Sequence, residues 1–328
     1  MTLESFLADW HSPSTRLCVH TSGSTGAPKE LWVEKQRMLN SARITCDFLG
    51  LRPGQSALLC MPLDYIAGKM MVVRSIERDL RLISVPPSSH PLATLQEVPD
   101  FAAMVPMQVV RSLQVPSEAA MLRQVRHLII GGGAIDESLQ QSLRDFPHAV
   151  WSTYGMTETL SHIALRRLNG PDASLWYTPF PSVSLRLTPE GTLAIYAPAV
   201  CAEELVTNDI AEINDQGQFR ILGRRDNTVC TGGIKVQIEE AERLLRLALP
   251  SALHSSFFFS WRPDPVLGQA LVLLAISTLT PEQRHQLQTA LQTLPRFWQP
   301  RHTLFVAELP LTATQKPDRA SLQRLAQS

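Results

Sequence analysis

His20-Thr21-Ser22-Gly23-Ser24-Thr25-Gly26-Ala27-Pro28-Lys29 gathers hydroxyls, two glycines and a cation into one short stretch. Gly23 and Gly26 can adopt positive φ without steric cost, so consecutive N–H groups can turn toward one anion. Hydroxyls of Thr21, Ser22, Ser24 and Thr25 add donors, and Lys29 adds charge. The spacing differs from the G-x-x-x-x-G-K-[ST] loop, because here only two residues separate the glycines. A plain Ser/Thr/Gly surface loop is the alternative. It does not account for the apolar Leu17-Cys18-Val19 before the stretch or Pro28-Lys29 after it, which suit a strand feeding a phosphate loop.

Outward from that loop, strand-like and helical patterns alternate. Helices are expected over 3–10, 35–49, 69–78, 92–98, 106–112 and 137–144, and strands over 16–20, 31–33, 56–61, 82–85, 101–105, 128–130 and 150–154. This order predicts a largely parallel sheet covered by helices. Beyond residue 165 short alternating segments at 183–187, 193–196, 211–214 and 219–222 predict a small antiparallel barrel or sheet. Gly223-Arg224-Arg225-Asp226-Asn227 is a polar break, followed by strands at 229–236, 255–260, 270–276 and 302–306 and helices at 238–248 and 281–293. A domain boundary is expected there, giving a large domain over 1–225 and a small one over 226–328.

The 328 residues can bury a large core, and 44% hydrophobic against 18% charged residues with zero formal net charge argues against disorder and against electrostatic nucleic-acid binding. Phosphate affinity must then be local. Cysteines 18, 46, 60, 201 and 230 form no C-x-x-C pair and lie far apart, which argues against a zinc site or a redox motif and suits reduced thiols. Neither a signal peptide nor a membrane-length apolar run is present, so a soluble cytoplasmic protein is expected.

Tyr154-Gly155-Met156-Thr157-Glu158 carries a ring, a glycine, a hydroxyl and a carboxylate suited to a nucleotide with its metal. Magnesium keeps waters and phosphate oxygens, so Glu158 alone can serve as the protein ligand. The alternative is that Thr157 and Glu158 cap a helix start. Gly131-Gly132-Gly133-Ala134 follows a buried strand and reads either as a wall against a substrate or as a steric loop between elements.

Together, residues 21–29 and 154–158 resemble the adenylate-forming superfamily of AMP-binding, acyl- and aryl-CoA synthetases, most closely its o-succinylbenzoate–CoA ligase-like members. The resemblance runs over about residues 17–319. It implies the adenylate-forming α/β fold: a large N-terminal domain of parallel sheet, helices and a small β subdomain, shortened at its front, and a small mobile α+β C-terminal domain. The short front leaves two expectations: a reduced form that folds alone, or an exposed face that another surface covers, a homo-oligomer being one such cover.

By the same resemblance, residues Thr21 to Gly26, Lys29, Tyr154 and Gly155 bind the nucleotide, with Asp209 and Arg224 on the ribose. Glu158 holds Mg²⁺, Thr157 assists, and Lys316 is the mobile catalytic lysine. Asp226 is implied as the hinge, and Gly232, Gly233 and Lys235 as part of the segment that serves the thioester step. Gln315 stands where the family usually has glycine.

The implied reaction joins a carboxylic acid to ATP, releasing pyrophosphate, then passes the acyl group to coenzyme A. Arg74, on the segment that starts Pro62-Leu63-Asp64-Tyr65, matches the arginine that faces the second carboxylate of o-succinylbenzoate, while Tyr65 replaces a histidine. An arginine snorkelling to water is the alternative for Arg74. A carrier-protein-loading adenylation enzyme and a non-catalytic nucleotide-binding scaffold are the other readings of the whole chain.

Overall fold

The computed structural model describes residues 1–20, 30–133, 135, 137–312 and 316–328. Thr21, Ser22, Gly23, Ser24, Thr25, Gly26, Lys29 and Ala134 of the expected site lie outside the described residues. The chain divides into two units. Met1–Arg186, Ala194–Val206 and Ile213–Arg220 form the first, and Leu187–Leu193, Thr207–Glu212 and Ile221–Ser328 form the second.

The first unit opens with α1 (Leu3–His11), whose first turn is capped by the Thr2 hydroxyl accepting from the Ser5 N–H at 3.2 Å. Strands β1 (Arg16–His20) and β2 (Glu30–Glu34) pair antiparallel, with His20 opposite Glu30. Helix α2 (Lys35–Leu49) buries the predicted Met38, Ala42, Thr45, Cys46 and Leu49.

Strand β3 (Ser56–Leu59), helix α3 (Ile66–Arg78), β4 (Arg81–Ser84), β5 (Phe101–Met104), α4 (Pro106–Leu113), α5 (Pro116–Gln124), β6 (His127–Ile130), α6 (Glu137–Leu143), β7 (Val150–Gly155), β8 (His162–Arg167) and β9 (Thr178–Pro179) follow. Their sheet has the order β4-β3-β5-β6-β7-β8-β9. Strands β4 through β7 along this order are parallel, and β8 and β9 add antiparallel. The parallel strands β3 and β5 are buried along their whole length, as strands covered on both faces must be.

Two departures from expectation have physical causes. Residues 92–98 form isolated turns instead of a helix, with the Ala93 N–H donating to the His90 carbonyl and the Leu95 N–H to the Leu92 carbonyl. Between Pro91 and Pro99 the stretch is too short to repay nucleation. Helix α5 was not expected; Pro116 sits in its first turn and Leu122 anchors it in the core.

A four-stranded sheet, β10 (Ser184–Leu187), β11 (Thr192–Tyr196), β12 (Leu205–Ile213) and β13 (Phe219–Arg224) in that order, contributes residues to both units. In the second unit the strand expected over 229–236 is a hairpin of β14 (Thr228–Thr231) and β15 (Ile234–Gln237). Gly232 and Gly233 turn it with φ of 56° and 81°, the paired left-handed conformation of a tight hairpin.

Helix α7 (Ile238–Leu247), strands β16 (Phe257–Asp264) and β17 (Gly268–Ile276), helix α8 (Pro281–Leu291), strand β18 (His302–Val306) and helix α9 (Arg319–Gln327) complete it. Alternation on the strands assigns the two faces. Phe257, Phe259, Leu271 and Leu273 pack against α7 and α8, while Phe258, Val272 and Leu274 pack against Leu322 and Ala326 of α9. Each large side chain so buried contributes about 1.5–3 kcal/mol.

Candidate active site

Because β3, β5, β6 and β7 are parallel, the segments that leave their C-terminal ends share one edge of the sheet. Tyr65, Gly131 to Gly133 and Met156 to Glu158 lie on those segments, at the edge where open α/β sheets bind ligands. The end of β1 joins them, as His20 bridges Tyr65 through the backbone. Lys69 of α3 strengthens that junction by donating to the Cys18 carbonyl at 3.0 Å. Its ammonium is buried, and burial holds its pKa below the ordinary lysine value, against the raising influence of Cys18, Asp64 and Asp9.

The Tyr154 ring stands edge-on to Phe219 with centroids 5.0 Å apart. Gly155 is fixed by close approach, since a β-carbon there would lie 2.2 Å from the Ser161 carbonyl oxygen. The register between β7 and β8 shifts at this point. A 3₁₀ turn over Thr157–Thr159 follows, and Thr159 is the residue that caps it: the Met156 N–H donates to its hydroxyl at 3.0 Å. Capping therefore falls to Thr159, and the Glu158 side chain has no hydrogen-bond or ion-pair partner among the described residues. Leu160 ends the turn at φ 65°, a conformation that a branched side chain rarely adopts.

Gly131 has a packing reason of its own, because a β-carbon would meet the Thr153 hydroxyl at 2.2 Å. The steric alternative thus accounts for Gly131, while Gly132 and Gly133 are exposed at the sheet edge.

Helix α3 is buried on nearly every side from Gly68 to Ser75, which places Arg74 in the interior at 2% exposure. The snorkelling alternative is overturned. Arg74 donates from Nη2 to the Ser161 hydroxyl at 2.5 Å, and its Nε has no partner. Burial lowers its pKa to about 10. Ser161 contacts His162 Nδ1 at 3.2 Å, and His162 Nε2 contacts the Thr45 hydroxyl at 3.0 Å. Burial, reinforced by Arg74, keeps His162 far below the usual histidine range and therefore neutral. The sequence reading did not find this chain; polar residues at the buried positions of α2 were its only signal.

In the second unit Arg224 donates to Asp209 at 3.3 Å and to Asp226 at 3.1 Å. Asn208 also donates to Asp226, at 3.1 Å, and accepts from Arg225 at 2.6 Å. Lys316, from the far end of the chain, comes within electrostatic reach of Arg224 and Asp209. Burial holds the Lys316 pKa below the ordinary lysine value, Arg224 pushes the same way, and Asp209 opposes.

Three residues after Lys316, Arg319 forms a two-pronged pair with Glu242, at 2.7 and 2.9 Å. The Phe259 N–H also donates to Glu242, at 3.0 Å, and the carboxylate is only 3% exposed. This anchor of the Lys316 segment was missed from sequence, because the three partners lie on separate elements. Lys235 is exposed on β15 beside the Gly232-Gly233 turn.

The profile of the AMP-binding enzyme family matches residues 9–197. A 2-succinylbenzoate–CoA ligase of Bacillus cytotoxicus is 24% identical over 94% of this chain and 69% of its own length. Among solved structures, an acyl-CoA synthetase (AMP-forming)/AMP-acid ligase II-like protein of Dyadobacter fermentans is 33% identical, with 98% of this chain and 93% of that one covered at a TM-score of 0.65. The o-succinylbenzoate coenzyme A synthetase of Bacillus subtilis, in complex with ATP and magnesium ion, shares the fold at 20% identity and a TM-score of 0.74, over 93% of this chain and 69% of that one.

Proposed function

The chain belongs to the AMP-binding enzyme family, and from that premise we propose that it is an ATP-dependent carboxylate–CoA ligase. The acid attacks the α-phosphorus of ATP, pyrophosphate leaves, and the thiol of coenzyme A then displaces AMP from the acyl carbon. The observation that carries this reading is the Asp209–Arg224 ion pair with Lys316 within its electrostatic reach, since these residues are distant in sequence and their implied roles require one site.

In this reading residues 21–29 hold the β- and γ-phosphates, and Tyr154 and Gly155 line the nucleotide. Asp209 accepts from the ribose hydroxyls, since a carboxylate offers two oxygens to a vicinal diol. Lys316 steadies the negative charge that develops on the acyl and phosphoryl oxygens, so positioning and electrostatics supply the rate. Glu158 suits a magnesium ion, being a carboxylate that no described protein group occupies. The ion would shield phosphate charge there. Residues 226–328 form the mobile domain with Asp226 as hinge, and Gly232, Gly233 and Lys235 serve the thioester step.

The substrate we favour is an aryl acid with a second carboxylate, of the o-succinylbenzoate kind. Arg74 supports this, because a buried guanidinium with an unpartnered Nε and no carboxylate partner among the described residues is suited to an anionic substrate group. Tyr65 and Gly131 to Gly133 lie at the sheet edge where the acyl chain would enter.

Carboxylate-dependent exchange of pyrophosphate into ATP, measured over a panel of aryl and fatty acids, tests the first step. Thioester formation with coenzyme A or with a carrier protein tests the acceptor. Absence of exchange with every acid sinks the ligase reading, and loading of a carrier but never coenzyme A sinks the acceptor.

A further inference from the structure

The antiparallel register of β1 and β2 places Cys18, His20 and Glu30 together. Cys18 and His20 are two residues apart on one strand and so share a face, and Glu30 lies directly across from His20. The Cys18 sulfur, a His20 ring nitrogen and a Glu30 oxygen all lie within 4.8 Å of one another, and His20 Nε2 is 3.8 Å from Glu30 Oε1. Ligands of a tetrahedral zinc ion with bonds of about 2.0–2.3 Å stand about 3.3–3.6 Å apart, so small side-chain rotations bring all three donors to one centre.

We propose that Cys18, His20 and Glu30 form a site for a thiophilic divalent metal of the zinc class, with a fourth position left open. The donor set selects the metal. A thiolate with an imidazole suits zinc and its neighbours, whereas magnesium takes oxygen ligands and so has no claim on this site.

Cysteine spacing alone argued against a zinc motif, because the partners of Cys18 are a histidine on its own strand and a glutamate across the hairpin. The scaffold is firm on its inner side, where buried Lys69 donates to the Cys18 carbonyl and leaves the thiol unencumbered by that bond. Binding exchanges the Cys18 thiol proton for the metal: the S–H bond breaks, the sulfur–metal bond forms, and the proton passes to solvent.

His20 is the residue before the segment 21–29 and Glu30 the residue after it. The hairpin already pairs these two residues, so a metal here reinforces an existing junction.

The site is tested without substrate, by titrating the chelator-treated full chain with Co²⁺ and then Zn²⁺. One equivalent of Co²⁺ should give a thiolate-to-metal charge-transfer band that Zn²⁺ removes. Cys18→Ser should abolish the band, and His20→Gln and Glu30→Gln should each weaken binding by about tenfold or more, as loss of a ligand does. Glu30 is exposed, so Glu30→Gln reads the site with no folding cost. Cys230→Ser, at an exposed thiol outside the site, should leave the band intact.

A band that survives in Cys18→Ser, equal affinity in Glu30→Gln, or no saturable binding below millimolar Co²⁺ overturns the proposal.

Discussion

Arg224 donates to the Asp209 carboxylate at 3.3 Å, so the two residues expected on the ribose meet as one ion pair. Loss of a hydrogen bond to a charged group costs about 1.5–3 kcal/mol, or about tenfold to a hundredfold in affinity. Asp209→Ala should raise the Kd for ATP by that factor in calorimetry. Unchanged ATP binding in this variant would remove the ribose assignment.

Lys316 supplies a pH signature. Its pKa lies below the ordinary 10.5 because burial disfavours the ammonium, and Arg224 adds to that effect. Adenylation should therefore fall on the alkaline side at a lower pH than a free lysine dictates, and Asp209→Asn should move that limb lower still. Lys316→Arg should push it upward, while Lys316→Ala should abolish exchange. The stability sign is the reverse of a salt-bridged lysine: the cost of the buried charge is present below the folded-state pKa and is relieved as pH rises toward 10.5. Full exchange activity in Lys316→Ala would break the mechanism.

Arg74→Ala should raise the KM for a dicarboxylic aryl acid by about an order of magnitude or more, because the charge-assisted contact is lost. The same substitution should leave the KM for a monocarboxylic analogue within about threefold. Equal effects on both acids would assign Arg74 to packing with Ser161 and not to the substrate.

Removing Arg319 leaves the buried Glu242 carboxylate with only the longer Arg246 ion pair at 3.5 Å among the described residues, and breaking a buried pair typically costs about 3–5 kcal/mol. Arg319→Met should lower the second unit's unfolding free energy, read from urea titration, by up to that amount, and adding Glu242→Met should recover most of it. A double variant as unstable as the sum of the singles would refute the pairing account.

Gly155→Ala forces a methyl against the Ser161 carbonyl and the His162 backbone. Overpacking of this kind costs about 1–3 kcal/mol, and the β7–β8 junction should loosen in hydrogen exchange. An unchanged unfolding midpoint would mean that the strands separate at no cost.

Periodicity made most of the fold legible. The fifteen residues of α2 and the short buried strands β3, β5 and β6 follow from apolar spacing alone. What stayed hidden depended on partners remote in sequence. From sequence Arg74 can either face a substrate or snorkel to water, and nothing marks Lys69 for burial, yet both are buried because α3 is enclosed on nearly every side. The two strands inside 229–236 were hidden because apolar residues flank Gly232-Gly233 equally, and only the positive φ of both glycines reveals the reversal. For the candidate site, Tyr154, Glu158, Asp209, Arg224 and Lys316 are singled out by a family pattern, and of these the structure brings Asp209 and Arg224 into one ion pair. Arg319, Ser161 and Cys18 became legible only through their neighbours in space.

Asp226 is held by Asn208 and Arg224, both at 3.1 Å, and its side chain is 40% exposed. Such solvent-facing contacts are worth about 0–1 kcal/mol each. Under the proposed rotation about Asp226 they behave as a detent rather than a lock. On that proposal thermal motion would release them at every turnover, the choice between the adenylating and thioester-forming arrangements would pass to whichever substrate is bound, and raising the salt concentration should quicken the exchange between them.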